Sequence, residues 1–150
     1  MQEIMQEQKD HPFSTQLVNL ASAKLGGVVV YATDEFFASK NRLIKDEDPV
    51  FITDKYDDHG KWMDGWESRR RRDGGYDHCI IKLATSGIVQ GVDINTKHFT
   101  GNHPPYASLE ATLSDDFKDK SATWAEILPK TKIKADSQNF FKIKSKDNFS

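Results

Sequence analysis

The amino-acid sequence predicts an all-β sandwich. Short apolar and β-branched segments recur along the chain, and turns rich in Gly, Pro and Asn separate them. Helical periodicity is confined to one short segment near the start. Many short strands with turn signals between them and little helix are typical of two packed antiparallel sheets. A chain of 150 residues is long enough for one domain with a proper core.

The first half of the chain predicts one strand between irregular segments. Residues 1–13 are polar and rich in Gln and Glu, which predicts a disordered tail, and we expect the folded domain to span residues 14–150. The expected elements that follow are a short helix over Phe13–Leu25, a strand over Val28–Tyr31, a helical turn from Thr33 through Ser39 and a long loop over 41–58.

The second half predicts five strands separated by turns. In the third of them, Tyr106, Ser108 and Glu110 alternate with apolar residues, so we expect these three side chains on one face. Nothing after Lys146 predicts a closing strand, so we expect the sandwich to be incomplete at its C-terminal end. The five strands are expected over Tyr76–Leu83, Ile88–Phe99, Tyr106–Leu113, Thr123–Leu128 and Asn139–Ile143.

Composition excludes several classes of protein. The formal net charge of -2 gives no general attraction to nucleic acid. No apolar run approaches the roughly 20 residues of a membrane span, and the N-terminal residues lack the apolar core of a secretory signal. We therefore expect an intracellular chain without a nucleic-acid or membrane partner. Cys79 is the single cysteine, which excludes a disulfide framework and predicts a small buried side chain more than a nucleophile.

Residues 60–72 concentrate unusual side chains. They hold two tryptophans, two carboxylates, two glycines and four consecutive arginines. Gly65 lies between Trp62 and Trp66, which favours a loop over a helix. In one interpretation the rings wall a pocket and the arginines bind an anion. In the other, the arginines form a solvated or nucleic-acid-facing patch. An extended run directs alternate side chains to opposite sides, so at most two arginines are expected to face one pocket.

Three polar clusters are candidates for chemistry, because each lies near the end of a predicted strand, where loops of a sandwich gather. Together they would supply carboxylate, imidazole and guanidinium groups, as a hydrolytic site requires. Each also has an ordinary explanation: Asp34 as a turn cap, His103 as an exposed residue, and Asp93 and His98 as solvated strand residues. The clusters are Asp34 with Glu35; Asp64, Glu67, Arg69 and Arg70; and Asp93, Asn95, Thr96, His98, Asn102 and His103.

Several motifs resemble those of the allantoicase (allantoate amidinohydrolase) family, in the right order and spacing over about residues 17–143. The Asp-Gly-Trp-Glu-Ser-Arg-Arg block is the most specific of them. The motifs are Leu25-Gly26-Gly27, Ala32-Thr33-Asp34-Glu35-Phe36-Phe37-Ala38, Gly60-Lys61-Trp62-Met63-Asp64-Gly65-Trp66-Glu67-Ser68-Arg69-Arg70 and His98-Phe99-Thr100-Gly101-Asn102, followed one residue later by Pro104-Pro105.

The resemblance implies hydrolysis of allantoate to ureidoglycolate and urea, in purine breakdown through allantoin. It also implies two jelly-roll repeats of the galactose-binding-like type, association into homo-oligomers, and action in the cytoplasm, with the peroxisome as the other candidate compartment. The chain corresponds to most of the first repeat, without the strands that close it. Asn95 stands where family members often carry an acid.

The resemblance also implies roles for particular residues. We expect one arginine of the matching pair to bind the substrate carboxylate. A divalent metal is a possible cofactor, and its ligands are unknown. The alternative to catalysis is a galactose-binding-like module that binds a small ligand or a partner protein. The candidate catalytic residues are Asp34, Glu35, Glu67, His98 and His103, and the candidate substrate-binding residues are Trp66, Arg69, Arg70 and Asn102.

Overall fold

The computed structural model describes residues 17–150, and these are almost all strand, turn and loop. Within that span the helical structure is limited to a 3₁₀ helix at Lys40–Ile44. The predicted tail over 1–13 lies outside the described residues. The strands are β1 Val28–Ala32, β2 Tyr56–Asp57, β3 Gly60–Lys61, β4 Cys79–Lys82, β5 Gly87–Ile88, β6 Gly91–Asn95, β7 Tyr106–Ala111, β8 Ala125–Lys132, β9 Gln138–Lys142 and β10 Asn148–Phe149.

One compact unit comprises residues 20–85. Its main pairing is antiparallel, between β1 and β4, with an irregularity between Val29 and Tyr31. Strands β2 and β3 form a small hairpin. Ser39 caps the 3₁₀ helix by accepting a hydrogen bond from the backbone N–H of Asn41. The apolar residues buried in this unit are Val29, Ala38, Ile44 and Met63.

An ion pair between a buried carboxylate and an exposed lysine fastens the long loop of this unit. The Asp64 side chain is 2% exposed, and Lys45 Nζ donates to both of its oxygens, at 2.7 and 2.8 Å. The backbone N–H of Val50 donates to the same carboxylate at 2.9 Å. Burial raises the pKa of Asp64, but these hydrogen bonds outweigh it and the pKa is lowered overall. Asp64 is therefore an ionised structural anchor for residues 45–50.

A second anchor joins the residues before β1 to the same loop. Ser22, which is buried, donates its hydroxyl proton to Asp46, and the backbone N–H of Gly27 donates to the carbonyl of Ser22 at 2.8 Å. A Cβ at Gly27 would lie 2.4 Å from the carbonyl oxygen of Ala21. Only glycine allows the chain to pass this close to itself before it enters β1.

The other unit contains residues 86–150 together with 17–19 among the described residues. Its antiparallel pairs are β6 with β9, β7 with β8, and β5 with β10. In β7 the side chains of Tyr106, Ser108 and Glu110 are exposed and their neighbours are half-buried, which confirms the predicted alternation. The buried apolar residues of this unit are Phe99, Leu128, Ile133, Ile143 and Phe149.

The structure corrects several of the predicted elements. The described part of the expected helix, from Leu17 onward, forms turns. The expected helical turn before Ser39 is a bend, and the 3₁₀ helix begins one residue later. The predicted strand over 88–99 is two strands, β5 and β6. We expected no strand after Lys146, but β10 pairs there with β5. No helix among residues 17–150 is long and apolar enough to cross a membrane.

Candidate functional site

The pair of Asp34 and Arg69 is the centre of the candidate site. Asp34 is the second residue after β1, and its side chain is 13% exposed. Arg69 Nε donates to Asp34 Oδ2 at 2.6 Å, and the backbone N–H groups of Phe36 and Arg69 donate to Oδ1 at 2.8 and 3.3 Å. Burial raises the pKa of Asp34, but these bonds outweigh it and lower the pKa overall. Asp34 is held ionised.

Trp66 fixes the backbone around this pair. Its Nε1 donates to the carbonyl oxygen of Asp34 at 2.7 Å. Next to that contact, Ala38 and Glu67 form an antiparallel bridge. The backbone N–H of Phe37 also donates to the Glu67 carbonyl at 3.2 Å. The predicted aromatic loop is therefore tied along the segment that follows β1.

Asp77 is a second carboxylate in the same place, and it was missed from the sequence. Thr33 Oγ1 donates to its Oδ1 at 2.7 Å, Arg71 Nη2 donates to the same oxygen at 3.2 Å, and Ser68 Oγ donates to Oδ2 at 3.3 Å. Burial raises the pKa of Asp77, but the bonds from Thr33, Arg71 and Ser68 lower it overall. Arg71 also bonds Asp73, at 3.0 Å.

These groups line an open depression of about 600 Å³. Four guanidinium groups face three carboxylates in its lining, so one positive charge is in excess. Two of the four, Arg70 and Arg72, are exposed and bond no carboxylate among residues 17–150. The lining residues are Asp34, Arg69, Arg70, Arg71, Arg72, Asp73 and Asp77. The depression suits a small anion.

Phe36 and His59 lie beside the pair and were also missed from the sequence. The Arg69 guanidinium carbon is 5.4 Å from the centre of the Phe36 ring, within the range of a cation–π contact. The His59 ring is 4.6 Å from that of Phe36, edge to face. His59 lies in the turn of the β2–β3 hairpin, where its backbone N–H donates to Asp57 Oδ1. A motif search in sequence gives no signal for this long-range contact.

The other predicted residues of this unit lie near the pair without facing the depression. Glu35 is exposed and bonds Lys40 at 3.3 Å. Glu67 is half-buried and its backbone bridges Ala38.

His98, Asn102 and His103 belong to the other unit. His98 has a φ of 71°, and its backbone N–H donates to Asp136 Oδ1 at 2.8 Å. His103 is half-buried, and its Nδ1 is a buried atom without a hydrogen-bond partner among the described residues. Burial raises the pKa of Asp93, whose oxygens accept bonds from Gln138 and Asn139. The roles predicted for these residues stay predictions.

The described residues contain neither a cluster of metal-ligating side chains nor a thiol that is ionised at neutral pH. No group of three or more His, Cys, Asp or Glu side chains is arranged to hold a metal ion in residues 17–150. Burial raises the pKa of Cys79 to about 11, so its thiol is protonated at neutral pH.

The fold and the depression define a β-sandwich domain with an open, arginine-lined depression that carries one excess positive charge, and comparison with known proteins identifies its family. A model of the family described as allantoicase repeat matches residues 18–150. The chain belongs to this family.

Named relatives agree with that family. A probable allantoicase of Ralstonia nicotianae is 54% identical over 132 residues, which are 87% of this chain and 39% of the relative. Probable allantoicase 1 of Burkholderia mallei is 52% identical over 129 residues, which are 85% of this chain and 38% of the relative. The chain therefore spans about two fifths of the length of these relatives.

Solved structures agree as well. A structure of allantoicase from Saccharomyces cerevisiae has a TM-score of 0.79 at 30% identity, over 100% of this chain and 47% of that chain. Another structure of allantoicase has a TM-score of 0.74 at 33% identity, over 88% of this chain and 41% of that chain. The likeness confirms the all-β fold that the sequence predicts and the jelly-roll type that the resemblance implies.

Proposed function

We propose that the chain serves the hydrolysis of allantoate to (S)-ureidoglycolate and urea in purine catabolism. Water adds its oxygen to the carbon that bears the carboxylate. The bond from that carbon to one ureido nitrogen breaks, and the proton from water ends on the departing nitrogen as urea leaves. The reaction is a hydrolysis of a C–N bond and needs no oxidant or reductant.

The observation that carries the proposal is the depression with one excess positive charge. Allantoate has one carboxylate, so its charge matches that excess. The sequence left open which arginine of the pair at 69 and 70 binds it. Arg69 is bonded to Asp34, whereas Arg70 has no carboxylate partner among the described residues. We therefore assign the substrate carboxylate to Arg70 by a forked, charge-assisted bond.

Asp34 and Asp77 act on the ureido arms as hydrogen-bond acceptors. Their lowered pKa values make them poor bases at neutral pH, but an ionised carboxylate accepts N–H donors well. Trp66 keeps the carbonyl of Asp34 in place at 2.7 Å. The catalytic roles predicted for Glu35, Glu67, His98 and His103, and the substrate-binding role predicted for Asn102, stay predictions.

Urea release from allantoate tests the proposal. We expect the purified chain to release urea above the level of a heat-denatured sample, and we expect Arg70→Gln to lower kcat/KM by about tenfold or more, on the scale of a lost charged contact. Lys82→Gln removes one positive charge on an exposed position of β4 and is the matched control. Equal rates for the two variants would refute the role of Arg70, and no urea from the wild-type chain would refute the proposed activity of this chain.

A row of exposed aromatic side chains favours the second candidate function, a binding module. The ring of His78 lies 5.4 Å from that of Tyr31 and 6.2 Å from that of Tyr76, and Tyr76 is 80% exposed. Such rings are suited to stacking on a ligand. Retention on a carbohydrate array, lost in Tyr76→Ala, together with no effect of allantoate on melting, would favour this function over hydrolysis.

Two further properties are proposed on the family alone. We propose that the chain assembles into homo-oligomers, which sedimentation at several concentrations would test. We propose that it acts in the cytoplasm, with the peroxisome as the second candidate, which imaging of the tagged protein would test.

A further inference from the structure

The four consecutive arginines divide into two pairs by their contacts. Arg69 bonds Asp34 at 2.6 Å, and Arg71 bonds Asp73 and Asp77 at 3.0 and 3.2 Å. Arg70 and Arg72 bond no carboxylate among residues 17–150, although both line the depression. The alternation is one of bonding partners, because all four arginines line the same depression.

We propose that Arg70 and Arg72 bind the substrate carboxylate together, while Arg69 and Arg71 hold the run in place. The inference rests on the proposed function for the identity of the substrate, and it adds Arg72, which lies outside the motif that marks the family. It predicts that the depression selects small ureido acids over their uncharged counterparts.

The spacing of the two residues suits one carboxylate. Residues two apart along any chain are separated by at most about 7 Å, and arginine side chains are long enough to converge from that distance. A carboxylate offers two oxygens with about four acceptor positions, so two guanidinium groups can bond it at once.

The bonds of Arg69 and Arg71 hold the backbone in place for Arg70 and Arg72. Asp34 and Asp77 are tied to the residues around β1, through Phe36 and Thr33, and both are ionised. Arg69 and Arg71 bond to these fixed carboxylates, so the backbone between them is held at two points. Arg70 lies between the two anchors, and Arg72 follows the second. Less side-chain and backbone freedom is lost when a ligand binds to residues held in this way.

Calorimetric titration with N-carbamoylglycine tests the inference without turnover. This probe has the carboxylate and one ureido arm of the substrate class, and N-carbamoylglycinamide is its uncharged match. We expect the chain to bind the acid and not the amide. We expect Arg72→Gln to weaken binding of the acid by about tenfold, and Lys82→Gln to change it by less than about twofold. Arg72→Lys keeps the charge without the fork, so we expect an intermediate loss.

Several results would overturn the inference. They are no binding of the acid, equal binding of acid and amide, or the same small effect for Arg72→Gln and Lys82→Gln. A melting curve for each variant shows that it is folded. Urea release is scored separately: binding that depends on Arg72 with no urea from allantoate would refute the proposed activity of this chain and leave the carboxylate site standing.

Discussion

The bond between Asp34 and Arg69 allows a prediction whose size follows from the structure. Asp34→Asn keeps an oxygen that accepts from the backbone N–H groups of Phe36 and Arg69, but it removes the charge that bonds Arg69 Nε at 2.6 Å. A hydrogen bond to a charged group contributes about 1.5–3 kcal/mol. The Arg69 side chain is 66% exposed, so solvent screening reduces this to about 1 kcal/mol.

Thermal unfolding followed by tryptophan fluorescence measures this loss. For a domain of this size, about 1 kcal/mol lowers Tm by about 2–4 °C. Asp34→Ala also removes both backbone contacts, so we expect a loss of about 2–3 kcal/mol. A double-mutant cycle with Arg69→Gln isolates the pair, and we expect a coupling free energy of about 1 kcal/mol.

The pair of Asp34 and Arg69 also predicts how the stability of the chain changes with pH. The pKa of Asp34 is lower in the folded chain than in the unfolded chain, so the unfolded state binds the proton more readily. The stability it contributes is complete above the unfolded pKa of about 3.9 and is lost as pH falls through the folded pKa. We therefore expect the difference in Tm between wild type and Asp34→Asn to be largest at pH 7 and to decrease below a pH of about 4. A coupling of zero, or a gap that widens in acid, would refute this reasoning.

Three further perturbations test other parts of the fold. Asp64→Asn removes the charge of a carboxylate that is 2% exposed and that bonds Lys45, whose side chain is 38% exposed and therefore screened by solvent, so we expect a loss of about 1–2 kcal/mol in urea denaturation; an unchanged midpoint would contradict the anchor. Gly27→Ala places a Cβ 2.4 Å from the Ala21 carbonyl oxygen, so we expect a loss of about 2 kcal/mol or more, and an unchanged Tm would show that the turn relaxes easily. Cys79, with a pKa of about 11, should react with iodoacetamide at least tenfold more slowly in the folded chain than in the unfolded chain at a pH of about 8, whereas equal rates would contradict its burial.

The strands were predictable because their signals are local. Val28–Tyr31 is β-branched and aromatic, and Tyr106–Leu113 alternates with the period of a strand. Both appear in the structure at nearly those bounds. The expected helix failed because three leucines within a short segment mimic a helical period, while Gly27 and the bond from Ser22 to Asp46 require turns there. A two-residue strand such as β10 depends on its partner β5, so its own sequence carries little signal.

Part of the candidate site was also predictable from the sequence, and part was not. Asp34, Trp66 and Arg69 were proposed from sequence, and the structure brings these three together. Asp77 and His59 were missed because each reaches the site through contacts distant in sequence: Asp77 accepts from Thr33, 44 positions earlier, and His59 packs on Phe36. The expectation that at most two arginines face one pocket was wrong, because all four line the depression. The carboxylates at 34, 73 and 77 decide which two of the arginines bond no carboxylate.

The central claim is that the arginine-lined depression handles the carboxylate of allantoate. The most direct test is urea release from allantoate by the wild-type chain and by Arg70→Gln, Arg72→Gln and Lys82→Gln at equal protein concentration. The account predicts urea from the wild type and from Lys82→Gln, and a loss of about tenfold or more in kcat/KM for both arginine variants. Full activity in both arginine variants would contradict it.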